Sequence, residues 1–327
     1  MLSAEVQSYR LSPAESDELN HLGIEVSRLL TDRRPEIRGY VAKLPDDFAQ
    51  ALQDFAASPH SGGVLLIRGV GVGAVPDTPT TYSSMVLGEH VTSGVLALVA
   101  DALGSLVGYQ DEKSGALVHE VHPVPGEEHK LENSGSITAL GFHTENAHHP
   151  LRPDFLALLC LRADHLGKAA TRVASIQDAV TVLDPAVLEL LRSPIFYSRY
   201  PTSFTRGRTG AVRSGPHPVI FGPEDRPWMR FDSDNTEADL PAGVEALARL
   251  GGALAEVTVD VPMTPGDLVI LDNYVVAHGR TSFVPRYDGR DRWLRRVYSL
   301  RSVPRWAPAV MTEPRVLPAL TTLAGMF

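Results

Sequence analysis

The sequence predicts a β-rich α+β fold in which one domain takes up all 327 residues. Helical patterns cluster in residues 1–115, and short apolar runs typical of strands dominate residues 116–303, with a C-terminal tail in residues 304–327. No linker, internal repeat or low-complexity segment divides the chain. Short strands with helices outside them indicate an antiparallel sandwich or barrel that carries an α-helical N-terminal wrap.

Two amphipathic helices are predicted near the N-terminus. Ser12, Pro13 and Glu15 form a capping box with a proline in the first turn, so the first helix should begin at Pro13. In "LPDDFAQALQDFAA", apolar residues between Phe48 and Phe55 recur at helical spacing, which predicts the second helix. The glycine-flanked run "GGVLLIRGV" then predicts a buried strand.

A third helical pattern runs from Tyr82 to Gly108, after the proline-rich connector "DTPTTYSS". Its most apolar part, "SGVLALVADALGSLVGY", is interrupted by Asp101 and by glycines and is too short to span a bilayer comfortably. We therefore interpret it as a buried helix.

The later part of the chain alternates strand and helix patterns. Two helices are expected, in "GVEALARLGGAL" and in "DPAVLELLRS", where Asp184 is the predicted cap and Pro185 the first helical residue. Strands are expected in "GALVHEVHPV", "FLALLCLRA", "ATRVASI", "AEVTVDVPM", "GDLVILDN" and "RRVYSLRS".

Composition narrows the class of ligand. The formal net charge of −9 and the pI near 5.7 make nucleic acid and anionic membranes poor electrostatic partners, so small molecules are the expected ligands. The single cysteine, Cys160, excludes a disulfide within the chain and is expected to be a buried, inert thiol. The N-terminal residues lack a secretory pattern, so we expect a cytoplasmic protein.

The motif "HTE" places His143 and Glu145 two residues apart, which on an extended chain directs both side chains to the same side. A third candidate ligand, His278, follows the predicted strand "DLVILDN". Two histidines and one carboxylate form the facial triad of non-heme Fe(II) oxygenases, which leaves open positions on the metal. His148 and His149 are competing candidates, and a structural role is the alternative for a lone histidine such as His278.

These residues lie in motifs that carry a family resemblance. The chain resembles the clavaminate synthase-like branch of the Fe(II)/2-oxoglutarate dioxygenases, which includes clavaminate synthase and hydroxylases of free L-arginine, L-asparagine and L-lysine. The resemblance covers Gly62 to Ser302 and rests on "FHTENAHHPLRPDFLALLCLRAD", "AATRVAS" and "LVILDNYVVAHGRTSFVPRYDGRDRWLRRVY". It implies a double-stranded β-helix, or jelly roll, in agreement with the β-rich second part of the chain.

The resemblance also implies the iron and cosubstrate ligands. It assigns His143, Glu145 and His278 to Fe(II). Arg292, fourteen residues after His278, corresponds to the arginine that pairs with the far carboxylate of 2-oxoglutarate, which a guanidinium can hold by both oxygens. Thr171 resembles the threonine that hydrogen-bonds the cosubstrate near its keto acid end. The alternative for Arg292 is a surface arginine without a ligand, and the alternative for Thr171 is an ordinary strand hydroxyl.

The family's substrate contacts map onto a further set of residues. Arg296 corresponds to the arginine that binds the substrate α-carboxylate, and Glu145 would contact the α-amino group. Asp232 and Asp234 match a carboxylate pair that binds the cationic side chain in arginine and lysine hydroxylases, and two buried carboxylates need such a cation. The alternative is a solvated acidic loop. Further pocket candidates are Asn133, Ser134, Ser136, His119 and Glu120.

The stretch "RYPTSFTRGRTGAVRSGPHPVIFGPEDRP" reads as a long loop, and we predict a lid near residues 200–228. The expected function is oxidation of C3 or C4 of a free polar or basic L-amino acid with Fe(II), 2-oxoglutarate and O2, releasing succinate and CO2. The alternatives are desaturation or oxidative cyclisation by the same chemistry, and a metal-binding jelly roll that isomerises or binds a ligand without 2-oxoglutarate. Arg292 distinguishes the last of these, because it has no evident purpose without a dicarboxylate.

Overall fold

The computed structural model describes residues 6–31, 36–57, 62–81, 89–205 and 212–323. Four α-helices precede the main run of strands, and the others lie between later strands or at the C-terminal end. The helices are α1 (Pro13–Thr31), α2 (Arg38–Val41), α3 (Asp46–Ala57), α4 (Val91–Leu103), α5 (Ile176–Ala179), α6 (Pro185–Arg192), α7 (Thr202–Thr205), α8 (Pro241–Glu256) and α9 (Leu320–Leu323).

Sixteen strands lie within the same ranges of the chain, and most of them belong to two sheets. The strands are β1 (Gln7–Arg10), β2 (Val64–Arg68), β3 (Ser105–Tyr109), β4 (His119–Val121), β5 (Leu140–His143), β6 (Phe155–Arg162), β7 (Ala170–Ser175), β8 (Phe196–Ser198), β9 (Ile220–Phe221), β10 (Trp228–Met229), β11 (Thr236–Ala238), β12 (Val259–Pro262), β13 (Leu268–Asp272), β14 (Val276–Arg280), β15 (Trp293–Leu300) and β16 (Val316–Leu317).

The major sheet has the strand order β1-β2-β13-β6-β15-β3-β16, with β4 also paired to β15. The minor sheet has the order β12-β7-β14-β5. Pairing is antiparallel except at the two edges of the major sheet, where β1 runs parallel to β2 and β16 to β3. β9 with β10 and β8 with β11 form two short antiparallel pairs.

Side chains of the major sheet alternate between two apolar cores. On β6, Leu159 packs with α1, α3 and α4, whereas Leu158 faces the interior between the sheets. The same interior receives Val173 and Val276 from the minor sheet. The two sheets therefore face each other across a shared core, as in the jelly roll that the family resemblance implies. Cys160 lies in this core, where burial raises the pKa of its thiol to about 12, in line with the predicted inert role.

Helices α1 and α4 cross at a pair of glycines. A Cβ placed at Gly94 would lie 1.9 Å from the Gly23 carbonyl oxygen, and one at Gly23 would lie 2.7 Å from a Val95 methyl. Only glycine allows this approach, so the two helices pack with their backbones in contact on the outer face of the major sheet.

The capping box is confirmed. The Ser12 N–H donates to Glu15 Oε2 (2.7 Å), the Glu15 N–H donates to Ser12 Oγ (3.3 Å), and α1 begins at Pro13. Helix α6 begins at Pro185 as expected, but the Asp184 side chain makes no capping hydrogen bond.

The predicted helix from Tyr82 to Gly108 is partly wrong. Residues 82–88 lie outside the described ranges, and α4 ends at Leu103, after which the chain enters β3. The chain leaves the helix at Gly104, where an added Cβ would lie 2.2 Å from the Leu300 carbonyl oxygen, so glycine is needed at this position. None of the helices within the described ranges has the length and hydropathy needed to cross a membrane.

Candidate active site

The two predicted metal-binding histidines lie side by side on neighbouring strands of the minor sheet. His143 ends β5, His278 is the central residue of β14, and the antiparallel register pairs them directly. Their ring centroids are 4.2 Å apart. Directly opposed residues on paired antiparallel strands project to the same face of a sheet, so strand pairing brings together two residues that are distant in sequence.

Glu145 completes the cluster from the turn that follows β5. Its Oε2 lies 3.6 Å from His278 Nε2, and one potential ligand atom from each of Glu145, His143 and His278 lies within 4.8 Å of the others. Asn273 fixes this turn: its side-chain oxygen accepts from the Glu145 N–H (2.6 Å) and its amide nitrogen donates to the Glu145 carbonyl (3.0 Å). One side chain thus holds both main-chain polar groups of Glu145.

This donor set fits a divalent transition metal such as Fe(II). His143 Nδ1 donates to the Gly141 carbonyl (3.0 Å), so Nε2 is the ring nitrogen available as a metal ligand. Burial, with smaller contributions from His143 and Arg296, holds the pKa of His278 well below its ordinary value, so this imidazole is neutral, as a metal ligand must be. Two imidazoles and one carboxylate match the facial triad, which leaves coordination positions for other ligands.

Arg296 joins Glu145 to a second buried carboxylate, Glu112. Its Nη1 donates to Glu145 Oε2 (3.0 Å) and its Nη2 to Glu112 Oε1 (2.8 Å). The hydroxyl of Tyr298, on the same face of β15, lies 3.0 Å from Glu145 Oε1 and 2.9 Å from Glu112 Oε1. A guanidinium and a hydroxyl of the major sheet therefore orient the carboxylate of the metal cluster.

Two predicted pocket residues, His119 and Asn133, contact Arg296, and a third, Ser134, is next to Asn133 in sequence. His119 Nδ1 lies 3.2 Å from Arg296 Nη2 and 3.3 Å from Glu112 Oε1. With its amide oxygen turned toward the guanidinium, Asn133 accepts from Nη1 at 3.0 Å and from Nη2 at 3.2 Å. Ser134 is fully buried, and its hydroxyl has no hydrogen-bond partner in the described parts of the chain.

The Glu112 carboxyl is held in its charged form. Burial alone would raise its pKa, but the neighbouring His119 and Arg296 outweigh burial and hold that pKa well below the usual range. The polar site therefore contains two carboxylates, Glu112 and Glu145, on either side of a single guanidinium.

Arg292 and Thr171 line one pocket together with His278 and Arg296. Arg292 is 5% exposed, and no carboxylate within the described ranges forms an ion pair with it. Burial lowers the pKa of its guanidinium. A buried cation without a protein counterion is costly, so this pocket is suited to an anionic ligand. The hydroxyl of Thr171 donates only weakly, to Met263 Sδ at 3.5 Å.

The backbone just before Arg292 is fixed by polar contacts. Asp291 accepts two main-chain N–H groups of the preceding turn (2.8 and 2.6 Å), and Thr78 Oγ1 donates to its carbonyl (2.7 Å). His165 Nε2 lies 3.3 Å from a carboxylate oxygen of both Asp288 and Asp291. This polar cluster anchors the segment from which Arg292 enters the pocket.

The acidic loop predicted to bind a substrate cation begins beside the metal cluster. Asp232 pairs with His143 in an isolated antiparallel bridge. Its Oδ1 accepts from the Asp234 and Asn235 N–H groups (2.9 and 3.1 Å), and its Oδ2 accepts from Asn235 Nδ2 (2.9 Å). Asp234 is exposed and lies against Gly141, where an added Cβ would be 3.0 Å from its Oδ2. Asp232 therefore shapes the loop, and the Asp234 carboxylate is the more accessible of the two.

The competing histidines lie outside the metal cluster. His149 Nδ1 accepts from the Leu151 N–H (3.0 Å), and its ring contacts Tyr109 with centroids 4.7 Å apart. His148 packs against Phe204 with centroids 4.3 Å apart and borders a separate cavity of about 500 Å³ next to the predicted lid. The lid remains a prediction, and residues 206–211 of it lie outside the described ranges.

Alternation along β4 separates two of the pocket candidates. His119 faces the interior and contacts Arg296. Glu120 faces the helices instead, where it accepts from Trp293 Nε1 (2.6 Å) and Arg295 Nε (3.0 Å). His119 thus borders the site, whereas Glu120 belongs to the packing beneath α4.

Three residues of the site were missed by sequence reasoning. Tyr298 lies two residues beyond Arg296, so strand alternation could have identified it. Asn273 contacts Glu145 across 128 positions of sequence, and Glu112 contacts Arg296 across 184 positions. No local pattern marks either of these partners.

Comparison with known proteins identifies the family of the chain. The chain matches the family described as taurine catabolism dioxygenase TauD, TfdA over residues 39–298. It is 38% identical over 271 residues to clavaminate synthase 2 of Streptomyces clavuligerus, covering 80% of this chain and 82% of that protein. It is 38% identical over 263 residues to an L-asparagine oxygenase of Streptomyces coelicolor, covering 80% and 78%. An L-lysine 3-hydroxylase of Catenulispora acidiphila is 32% identical over 282 residues, covering 85% and 78%.

Solved structures share the whole architecture. Asparagine oxygenase in complex with Fe(II), 2S,3S-3-hydroxyasparagine and succinate superposes with a TM-score of 0.86 at 33% identity, covering 95% of this chain and 99% of that one. Non-heme iron oxygenase OrfP in complex with Fe and alpha-ketoglutaric acid gives 0.82 at 26% identity, covering 96% and 100%. The predicted jelly-roll fold, the oxygenase class and the use of iron and 2-oxoglutarate are confirmed. The chain belongs to the TauD/TfdA family of dioxygenases.

Proposed function

We propose that the protein hydroxylates C3 or C4 of a free polar or basic L-amino acid, such as arginine, lysine, asparagine or a relative, in a reaction that consumes 2-oxoglutarate and O2 and releases succinate and CO2. The observation that carries this proposal is the convergence of His143, Glu145 and His278 beside the buried Arg292, which has no ion pair in the described part of the chain. The named activities of the asparagine oxygenase and the lysine 3-hydroxylase point to the same class of substrate.

In this proposal each ligand has its own residues. His143, Glu145 and His278 would hold Fe(II), and Arg292 would pair with the far carboxylate of 2-oxoglutarate, with Thr171 near its keto acid end. Bound iron and 2-oxoglutarate supply the oxidising chemistry, in which O2 provides the oxygen atom inserted into a C–H bond. The contribution of the protein is to hold the substrate carbon at the metal and to exclude water.

The charges around Arg296 suit a zwitterion. The guanidinium would bind the substrate α-carboxylate, with Asn133 and His119 beside it and the buried Ser134 hydroxyl as a further candidate contact. The α-ammonium would lie against the carboxylates flanking Arg296, those of Glu145 and Glu112. A zwitterion would bring an opposite charge to each of these buried groups without changing the net charge of the site.

The acidic loop supports a polar or cationic side chain. Asp232 adjoins His143, so a substrate held at the metal would extend toward this loop, where the Asp234 carboxylate is accessible. A cytoplasmic site of action belongs to the same proposal. So does the expectation that neither nucleic acid nor a membrane is a partner, which the net charge of −9 supports.

A substrate panel tests the proposal. The purified protein, with Fe(II), 2-oxoglutarate and O2, would be incubated with each of the twenty standard amino acids, ornithine and citrulline. We expect succinate release and the gain of one oxygen atom, both confined to one or a few related members. Succinate release that no amino acid stimulates would contradict the proposal.

Desaturation or oxidative cyclisation is the second candidate, favoured by the 38% identity to clavaminate synthase 2. The same panel separates the two, because either reaction removes two hydrogen atoms from the substrate without adding oxygen. A product lighter than its substrate would select this alternative.

A further inference from the structure

Arg280 is a buried cation that the roles proposed above do not use. It follows His278 by two residues on β14, so its side chain enters the same interior. It is 6% exposed, and no carboxylate within the described ranges forms an ion pair with it. Burial, with a smaller contribution from Arg292, lowers the pKa of its guanidinium to about 9.

The guanidinium of Arg280 is bound by main-chain carbonyls instead. Its Nη1 donates to the Gly135 carbonyl, and its Nη2 donates to the Thr138 carbonyl at 2.8 Å. Three residues beyond Arg280, the Phe283 N–H donates to the Ser136 carbonyl at 3.0 Å, and the guanidinium carbon lies 5.2 Å from the Phe283 ring centroid. Three hydrogen bonds therefore join Arg280, at the end of β14, and Phe283, just after it, to residues 135–138.

Residues 133–138 connect two parts of the site. Their N-terminal end carries Asn133, whose amide faces Arg296, and their C-terminal end leads into β5 and His143. The segment is also held on its other side, where the Ser136 N–H donates to the Glu128 carbonyl at 3.0 Å. Displacement of this segment would move Asn133 away from the guanidinium that we propose binds the amino acid.

We infer that Arg280 is a positioning residue that clamps residues 133–138 to β14 and thereby sets the affinity for the amino acid substrate, not for 2-oxoglutarate. The inference deepens the proposed function and depends on it for the identity of the ligands. The planar fork of arginine suits this task because its two terminal nitrogens each reach a different carbonyl, whereas lysine has a single nitrogen.

The first test compares Arg280→Met with Arg292→Met in steady-state kinetics, using the amino acid identified by the panel. Arg280→Met should raise the KM for the amino acid about 10-fold and leave the KM for 2-oxoglutarate within about 3-fold. Arg292→Met should raise the KM for 2-oxoglutarate and leave the KM for the amino acid nearly unchanged. If Arg280→Met instead raised mainly the KM for 2-oxoglutarate, Arg280 would be a second cosubstrate cation and the inference would be wrong.

The second test does not depend on activity. Hydrogen–deuterium exchange of the ligand-free protein should be about 10-fold faster in peptides covering residues 133–140 of Arg280→Met than in the wild type, and unchanged there in Arg292→Met. Arg280→Lys, which keeps the charge and can reach one carbonyl, should give intermediate exchange and serves if the methionine variant fails to fold. If both Arg280 variants exchanged at the wild-type rate in these peptides, the clamp would be refuted even if the proposed reaction were correct. Failure to detect the proposed reaction would not by itself refute the clamp.

Discussion

At the scale of single residues, the metal cluster depends on neighbours that do not belong to it. Glu145 is fixed at its backbone by Asn273 and at its carboxylate by Arg296 and Tyr298. Sequence reasoning identified Glu145 and Arg296 from a motif and a spacing, because both lie in stretches where strand periodicity and family resemblance apply. It did not identify Asn273, since that residue acts through a hydrogen bond to a backbone 128 positions away.

Replacement of Tyr298 by phenylalanine tests this orientation. The change removes the hydroxyl 3.0 Å from Glu145 Oε1 and keeps the ring. We expect Fe(II) affinity to fall about 10- to 100-fold, the usual effect of losing a group that orients a metal ligand. Anaerobic calorimetric titration with Fe(II) measures it.

Tyr109→Phe is the matched control for this experiment. Tyr109 is equally buried, and its ring contacts that of Tyr298 with centroids 5.6 Å apart, but its hydroxyl donates to the Leu151 carbonyl (2.7 Å). Its removal should leave Fe(II) affinity near the wild-type value. Equal losses in the two variants would show that general packing, and not orientation of Glu145, determines the affinity.

At the scale of elements, alternation along β15 assigns each side chain to one function. Arg296 and Tyr298 enter the site, whereas Trp293, Arg295 and Val297 pack toward the helices. The sequence predicted this strand in "RRVYSLRS", because period-two patterns are local. The strand character of β14 and its pairing with β5 were not predicted, since pairing across a jelly roll is set by tertiary packing and not by local pattern.

The crossing of α1 and α4 provides a prediction for stability. Gly94→Ala would force a Cβ to within 1.9 Å of the Gly23 carbonyl oxygen, so the helices must separate. We expect the free energy of unfolding to fall by about 1–3 kcal/mol, the typical cost of overpacking. Urea denaturation monitored by circular dichroism measures it.

Gly251→Ala in α8 is the control, because an added Cβ there meets no atom within 4 Å. It should stabilise the protein by about 0.5–1 kcal/mol, the ordinary gain from replacing glycine within a helix. If Gly94→Ala gave the same gain, the close helix crossing would be refuted.

At the scale of the whole molecule, buried histidines link stability to pH. Burial lowers the pKa of His148 to about 3 and that of His217 to about 4. In the unfolded chain both titrate near the ordinary value of about 6.5, so the unfolded state binds more protons below that pH. The stability that depends on these two histidines is therefore fully present above about pH 6.5. It is lost as the pH falls toward their pKa values in the folded protein.

We expect the metal-free protein to lose about 2 kcal/mol of stability per buried histidine between pH 7 and pH 5. Urea unfolding at the two pH values measures the loss. His217→Gln should reduce the difference between them by about 2 kcal/mol. Greater stability at pH 5 than at pH 7 would contradict the sign.

The placement of the site between the sheets has one more consequence. Both histidines belong to the minor sheet, whereas Arg296 lies on β15 of the major sheet and Arg292 immediately precedes that strand. A cosubstrate bound at one end by Arg292 and at the other by a metal on the histidines would link the two sheets directly. Binding of the metal and the cosubstrate would then restrict motion of the two sheets relative to each other. Each turnover would begin in a more rigid site than that of the ligand-free protein.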